Sequence, residues 1–106
     1  MIPDFFHWLL TGEKANEMTD ATTTQMFNPQ TNGWSKKLID RFNLPPDIFG
    51  EIVPPGTRLG KLRGEVVAAT GLNDAEVILP GTHDTASAVM AVPAASKPGV
   101  APDWCY

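Results

Sequence analysis

Cysteine is almost absent from this chain of 106 residues, in which Cys105 is the only one. A single thiol cannot close an internal disulfide, so the sequence excludes the disulfide-stapled class of small secreted domains. The first residues also lack the basic segment and apolar stretch of a secretory signal. Together these two absences predict a protein of a reducing compartment, the cytoplasm.

Long apolar runs and clusters of positive charge are missing as well. No apolar run approaches the roughly 20 residues that cross a bilayer, so no membrane segment is predicted. Eight basic residues against twelve acidic ones give a net charge of −4, and the basic residues are scattered along the chain. Nucleic-acid binding requires concentrated positive charge and is therefore not expected. The hydrophobic content of 42% is typical of a globular protein.

What the chain does have is ten prolines and nine glycines, which divide it into short elements. Pro3 suits the first turn of a helix, and Gly12 is expected to end that helix. Thr19 or Asp20 is expected to cap the second helix. Asp4 and His7, one turn apart on the first helix, are expected to be exposed. The predicted helices are 2–10, 21–27, 36–42, 65–70 and 84–91 with a helical turn at 47–49, and the predicted strands are 59–62, a buried strand at 76–79, and a strand that begins at 103.

One segment has chemical character, the run LPGTHDTASA at residues 79–88. It places Asp84 where a strand ends and a helix begins, an edge at which ligands bind in open α/β sheets and where the helix dipole keeps a carboxylate ionised. An Asp at that position is commonly no more than a helix cap, and spacing alone favours the capping role. Adjacent side chains such as His83 and Asp84 are expected to point in different directions, so no metal site is predicted. The chain also lacks a glycine-rich phosphate loop.

The run PGTHDTASAV at 80–89 resembles the stretch around the catalytic aspartate of rhamnulokinases, members of the FGGY family of carbohydrate kinases. The resemblance covers nearly the whole chain in the same order. The other segments that carry it are MIPDFFH at 1–7, LTG at 10–12, ANE at 15–17, TDATTTQ at 19–25, NP at 28–29, GW at 33–34, LP at 44–45 and EIVPPGT at 51–57.

This resemblance implies an α/β fold, a fragment of the ribonuclease H-like first domain that FGGY kinases share in type with actin and hexokinase. Residues 1–93 would form the C-terminal part of that N-terminal domain. Residues 94–106 would be a loop and the start of the strand leading to the nucleotide-binding C-terminal domain. The family's ATP-binding loops would lie outside the chain, so no cofactor-binding residue is expected within it, and the fragment alone is expected to be inactive.

The resemblance also implies a mechanism. Asp84 would be the general base, and His83, Asp84 and Thr85 would bind the sugar. The expected reaction converts L-rhamnulose and ATP, with Mg²⁺, into L-rhamnulose 1-phosphate and ADP. The alternatives are an FGGY kinase for xylulose or fuculose, or a non-catalytic truncated module that only binds a partner.

Overall fold

The computed structural model describes residues 1–94 and 99–101. Within these ranges the longest helix has ten residues, and none of the helices combines the length and apolar character needed to cross a membrane. The helices are α1 (Ile2–Thr11), α2 (Met18–Ala21), α3 (Lys36–Arg41), α4 (Gly64–Thr70) and α5 (Asp84–Met90), and the strands are β1 (Asn16–Glu17), β2 (Phe27–Asn28), β3 (Gly33–Trp34), β4 (Ile52–Val53), β5 (Arg58–Lys61) and β6 (Glu76–Ile78). Single 3₁₀ turns lie at Thr22–Thr24 and Pro46–Ile48.

The described strands pair two by two. β1 runs parallel to β4, with Asn16 opposite Ile52. β2 and β3 form an antiparallel hairpin that turns at residues 29–32. β5 and β6 are also antiparallel. The molecule is flat, with extents of 47 × 43 × 20 Å, so its elements form a thin layer with few buried apolar side chains.

The first helix confirms the local signals in the sequence. Pro3 lies in its first turn, and Gly12 ends it in the left-handed conformation at φ 88°, where glycine carries no steric penalty. Asp4, expected to be exposed, is instead buried. Its carboxylate accepts hydrogen bonds from the Asn16 side-chain amide and from the Glu17 backbone N–H, each 3.0 Å long. These two bonds explain why a charged group lies in the interior.

The second predicted helix, 21–27, is wrong in its position and its cap. Helix α2 begins at Met18, and the cap is Glu17, whose side chain accepts from the backbone N–H groups of Thr19 and Asp20. The three threonines at 22–24 then form a 3₁₀ turn in which each hydroxyl donates to the carbonyl three residues earlier. This local bonding competes with an α-helix, and the chain enters β2 at Phe27 instead.

The strand predicted as buried at 76–79 is only partly so. Glu76 and Ile78 are exposed, because β6 has a neighbour on one side only, and Leu79 alone is buried. The predicted helix at 65–70 with its Gly71 cap and the helix that starts at Asp84 are confirmed. The strand predicted from residue 103 lies outside the described residues, as does Cys105, and the boundary at residue 93 stays a prediction.

Candidate active site

Strand β6 and the loop after it deliver Asp84 to the start of α5. Leu79 anchors that loop, because its side chain is buried and its backbone is held on both sides. The Gly56 N–H donates to the Leu79 carbonyl at 2.7 Å, and the Leu79 N–H donates to the Thr57 carbonyl at 2.9 Å. The strand, turn and helix predicted around Asp84 are therefore present. The loop between the strand and the helix begins at Leu79, whose position is fixed by these contacts.

The Asp84 carboxylate projects into solvent and is nevertheless oriented. Its side chain is 95% exposed. Its Oδ1 accepts from the Thr85 N–H at 2.6 Å and from the Thr85 hydroxyl at 3.2 Å. The His83 Nε2 lies 3.6 Å from the same oxygen, so the two adjacent side chains converge, contrary to the expectation that they point apart. All three contacts, from the Thr85 N–H, the Thr85 hydroxyl and the His83 imidazole, are made to Oδ1.

A helix-capping role therefore explains the contacts of one oxygen of the Asp84 carboxylate, Oδ1, and leaves the other unexplained. His83, not Asp84, is the residue that precedes α5, and its side chain makes no capping hydrogen bond. Asp84 is the first residue of the helix, and its Oδ1 still accepts one of the free N–H groups of the first turn, that of Thr85. The contacts of Oδ1 thus leave Oδ2 facing solvent, where it can accept a proton from a bound molecule.

Beneath the loop lies Glu17, whose side chain is 0% exposed. Its Oε1 accepts from the Thr19 N–H at 2.9 Å. Its Oε2 accepts from the Thr19 hydroxyl, the Asp20 N–H at 3.3 Å, and both the N–H and the hydroxyl of Thr82 at 3.1 and 2.8 Å. Burial alone would raise the pKa of the Glu17 carboxyl, but the hydrogen bonds from Thr19 and Thr82 outweigh it and hold the pKa below its usual value.

Asp20 lies in the same acidic surroundings with fewer compensating contacts. Burial raises the pKa of its carboxyl, and the nearby negative charges of Asp4 and Glu17 raise it further, against the opposing effects of the Met1 amino group and His83. In the described ranges no group of three or more His, Cys, Asp or Glu side chains is arranged to hold a metal ion. Of these acidic residues, Glu17 bonds directly to the loop at Thr82, and the charges of Asp4 and Glu17 act on Asp20.

The structure brings the three predicted site residues together in one contact group, since His83 and Thr85 both contact Asp84. Sequence reasoning missed Glu17 and Thr82. Glu17 lies in a polar run, and nothing in that run indicates burial. The one available signal was that the family resemblance included both segments, residues 15–17 and 80–89, which the fold places side by side.

Known proteins match this chain over most of its length. The model of the FGGY family of carbohydrate kinases, N-terminal domain, matches residues 1–91. A rhamnulokinase from Halalkalibacterium halodurans is 58% identical over 93 residues, which cover 88% of this chain and 20% of that protein. A rhamnulokinase from Oceanobacillus iheyensis is 50% identical with the same coverage of both chains. The chain thus spans about a fifth of the length of these curated relatives.

Among solved structures, a ligand-bound xylulose kinase from Lactobacillus acidophilus superimposes with a TM-score of 0.69 at 25% identity. The superposition covers 74% of this chain and 16% of the xylulose kinase chain.

Proposed function

This chain belongs to the FGGY family of carbohydrate kinases, and from that premise we propose that the full-length protein transfers a phosphoryl group from ATP to L-rhamnulose. The predicted fold class, part of the first domain of an FGGY sugar kinase, is confirmed. The two relatives described as rhamnulokinases support the choice of sugar, because they are much closer in sequence than the xylulose kinase. The product of the proposed reaction is L-rhamnulose 1-phosphate.

The observation that carries the proposal is the geometry of Asp84. Its carboxylate is exposed, and its Oδ1 is oriented by Thr85 and His83. A general base must reach the proton that it accepts, and the 95% exposure of the Asp84 side chain leaves its carboxylate open to an approaching sugar hydroxyl. We assign Asp84 as that base.

The reaction balances with one proton acceptor. The sugar hydroxyl oxygen forms a bond to the γ-phosphorus of ATP as the bond between that phosphorus and the β–γ bridging oxygen breaks. ADP leaves with the bond's electrons, and Asp84 takes the hydroxyl proton. Because the transition state of phosphoryl transfer is loose, the proton moves late, and a carboxylate can serve as its acceptor.

His83 and Thr85 flank the base and are proposed to contact the sugar. The His83 imidazole is part exposed beside the carboxylate, so one of its nitrogens can meet a sugar hydroxyl. The Thr85 hydroxyl donates to Asp84, which leaves its oxygen lone pairs to accept a hydrogen bond from the substrate.

ATP is the proposed phosphoryl donor, and Mg²⁺ is its expected partner. We propose that the ion is held mainly by parts of the full-length protein beyond this chain, because Mg²⁺ in kinases needs only one or two carboxylates together with the substrate phosphates. No step of the mechanism is therefore assigned to the metal through this segment. The cytoplasm, with its ATP supply, is the proposed compartment.

A substrate panel tests the proposal. Full-length protein is incubated with Mg-ATP and L-rhamnulose, D-xylulose or L-fuculose, and ADP release is followed in a coupled assay. We expect the highest kcat/KM for L-rhamnulose. A higher kcat/KM for xylulose or fuculose would reassign the sugar within the family. No sugar-dependent ADP release from folded protein would leave the non-catalytic module as the better description.

A further inference from the structure

We propose that Glu17 is a positioning residue of this site, which holds the segment Thr82–Asp84 in the place where Asp84 can act. The proposal rests on the proposed phosphoryl transfer, since it concerns how the base of that reaction is held. Glu17 does not contact the substrate-facing oxygen of Asp84; it acts through Thr82 and Thr19.

The first step of the argument is the link between two distant segments. Thr82 donates both its backbone N–H and its hydroxyl to Glu17 Oε2, at 3.1 and 2.8 Å, across 65 positions of sequence. The Thr19 hydroxyl donates to that same oxygen and accepts from the His83 N–H at 3.2 Å. Two successive residues of the loop are thus fixed to one buried carboxylate.

The second step is the chemistry that these contacts require. Three backbone N–H groups face the carboxylate: that of Thr19 on Oε1, and those of Asp20 and Thr82 on Oε2. Backbone N–H groups can only donate, so both oxygens must accept. A glutamine amide has one NH₂ group in place of an oxygen. Whichever way the amide is turned, that NH₂ group would face a backbone N–H, and two donors cannot bond to each other. The position therefore needs a carboxylate and not merely a polar side chain.

The third step connects the hydrogen bonds of Glu17 to the reaction. Thr82 and His83 immediately precede Asp84, and no regular structure intervenes to absorb a displacement of the loop. The side chain of Asp84 is 95% exposed and so has little packing of its own to keep it in place. A misplacement of about 1 Å at a reacting group costs about 100-fold in rate. The buried Glu17 carboxylate, through its bonds to Thr82 and Thr19, supplies the rigidity that the exposed Asp84 lacks.

The test compares two substitutions of Thr82 in the full-length enzyme. Thr82→Val keeps the shape and the N–H but removes the hydroxyl bond to Glu17, and we expect kcat to fall between about 10- and 100-fold with little change in KM for ATP. Thr82→Ser restores the hydroxyl and should recover most of kcat. Thr70→Val is the matched control, because the Thr70 hydroxyl makes only local bonds, to the Val66 carbonyl and from the Leu72 N–H, and it should leave kcat unchanged.

A double-mutant cycle with Asp84→Asn separates positioning from general destabilisation. If Glu17 and Thr82 act through Asp84, Thr82→Val should lower kcat in the wild type but not in the Asp84→Asn background. An equal loss in both backgrounds, or full kcat in Thr82→Val, would overturn the positioning role while Asp84 stays the base. A wild-type kcat in Asp84→Asn alone would instead remove the catalytic assignment, and the positioning proposal with it.

A second variant covers the case in which Thr82→Val fails to fold. Glu17→Asp keeps the charge and is a good helix cap for α2, but it is one methylene shorter and cannot serve both Thr19 and Thr82 at their present distances. We expect it to fold with the same loss of kcat and the same dependence on Asp84. Full activity of a folded Glu17→Asp enzyme would contradict the proposal.

Discussion

The His83 Nε2 and the Asp84 Oδ1 lie 3.6 Å apart. Consecutive residues at the start of a helix usually diverge, and their convergence here places an imidazole nitrogen beside one oxygen of an otherwise exposed carboxylate. Together with the two bonds from Thr85, the contact gives the two oxygens of Asp84 different surroundings. Substitution of each member of the pair should therefore have a different kinetic effect.

Asp84→Asn in the full-length enzyme should reduce kcat by about 10²–10⁴-fold, the usual cost of removing a general base. Asn keeps the shape and can still accept the Thr85 N–H, so the melting temperature should change little. Sugar and ATP affinity should stay near normal, because the loss falls on the transition state. Steady-state kinetics and a melting curve on this one variant decide the matter, and near-wild-type kcat would return Asp84 to the role of a helix cap.

His83→Ala should raise KM for the ketose more than KM for ATP. If the imidazole holds a sugar hydroxyl, removing it leaves that hydroxyl without a partner at a cost of about 1–3 kcal/mol. His83→Asn is the informative companion, since its amide can still donate and should recover part of the affinity. A raised KM for ATP with an unchanged KM for the sugar would contradict the assigned role.

Two glycines should respond differently to alanine. Gly12 has φ 88°, and a Cβ there would lie 3.0 Å from the Arg63 guanidinium, so Gly12→Ala should destabilise by about 1–2 kcal/mol. Gly81 has no such backbone constraint, and its Cβ would meet the Met90 methyl group at 2.6 Å. Met90 is 58% exposed and can move into solvent, so Gly81→Ala should cost less than about 1 kcal/mol. Thermal melts of both variants give the comparison, and the reverse order would contradict it.

The acidic pair under the loop should respond to pH in opposite ways. The pKa of Glu17 is lowered from 4.5 on folding, so its stabilising contribution is fully present above pH 4.5 and is lost as pH falls through the folded value. The pKa of Asp20 is raised from 3.8, so its ionised form opposes folding above the folded value, and protonation relieves that cost as pH falls.

Asp20→Asn should therefore raise the melting temperature at pH 7, and the difference from wild type should shrink as pH falls toward 3.8. Asp40→Asn on α3 is the control for loss of one negative charge at an exposed position. Melting curves at several pH values measure the trend. A lower melting temperature for Asp20→Asn at pH 7 would mean that the Asp20 carboxylate makes a favourable contact that its burial does not cancel.

The sequence was sufficient where structure depends on neighbouring residues. Pro3 and Gly12 bound α1, Gly71 ends α4, and the run at 79–88 gave the strand, turn and helix that place Asp84. Prediction from the sequence failed where an element depends on a residue that is distant in the chain. The start of α2 depends on Glu17, a residue type of low preference as a cap, whose side chain also serves Thr82. The pairing of β1 with β4 spans two residues on each strand, too few to show any periodicity.

The link between Glu17 and Thr82 also sets an order of events during synthesis. The partners are 65 positions apart, and at about 5–20 residues per second the ribosome needs about 3–13 s to make the intervening chain. Until Thr82 emerges, the Glu17 carboxylate lacks two of its donors, and burying it would leave a charge only partly compensated. The segment around α2 should therefore stay hydrated until the later loop arrives, so that assembly of the site is among the last steps of folding in this part of the protein.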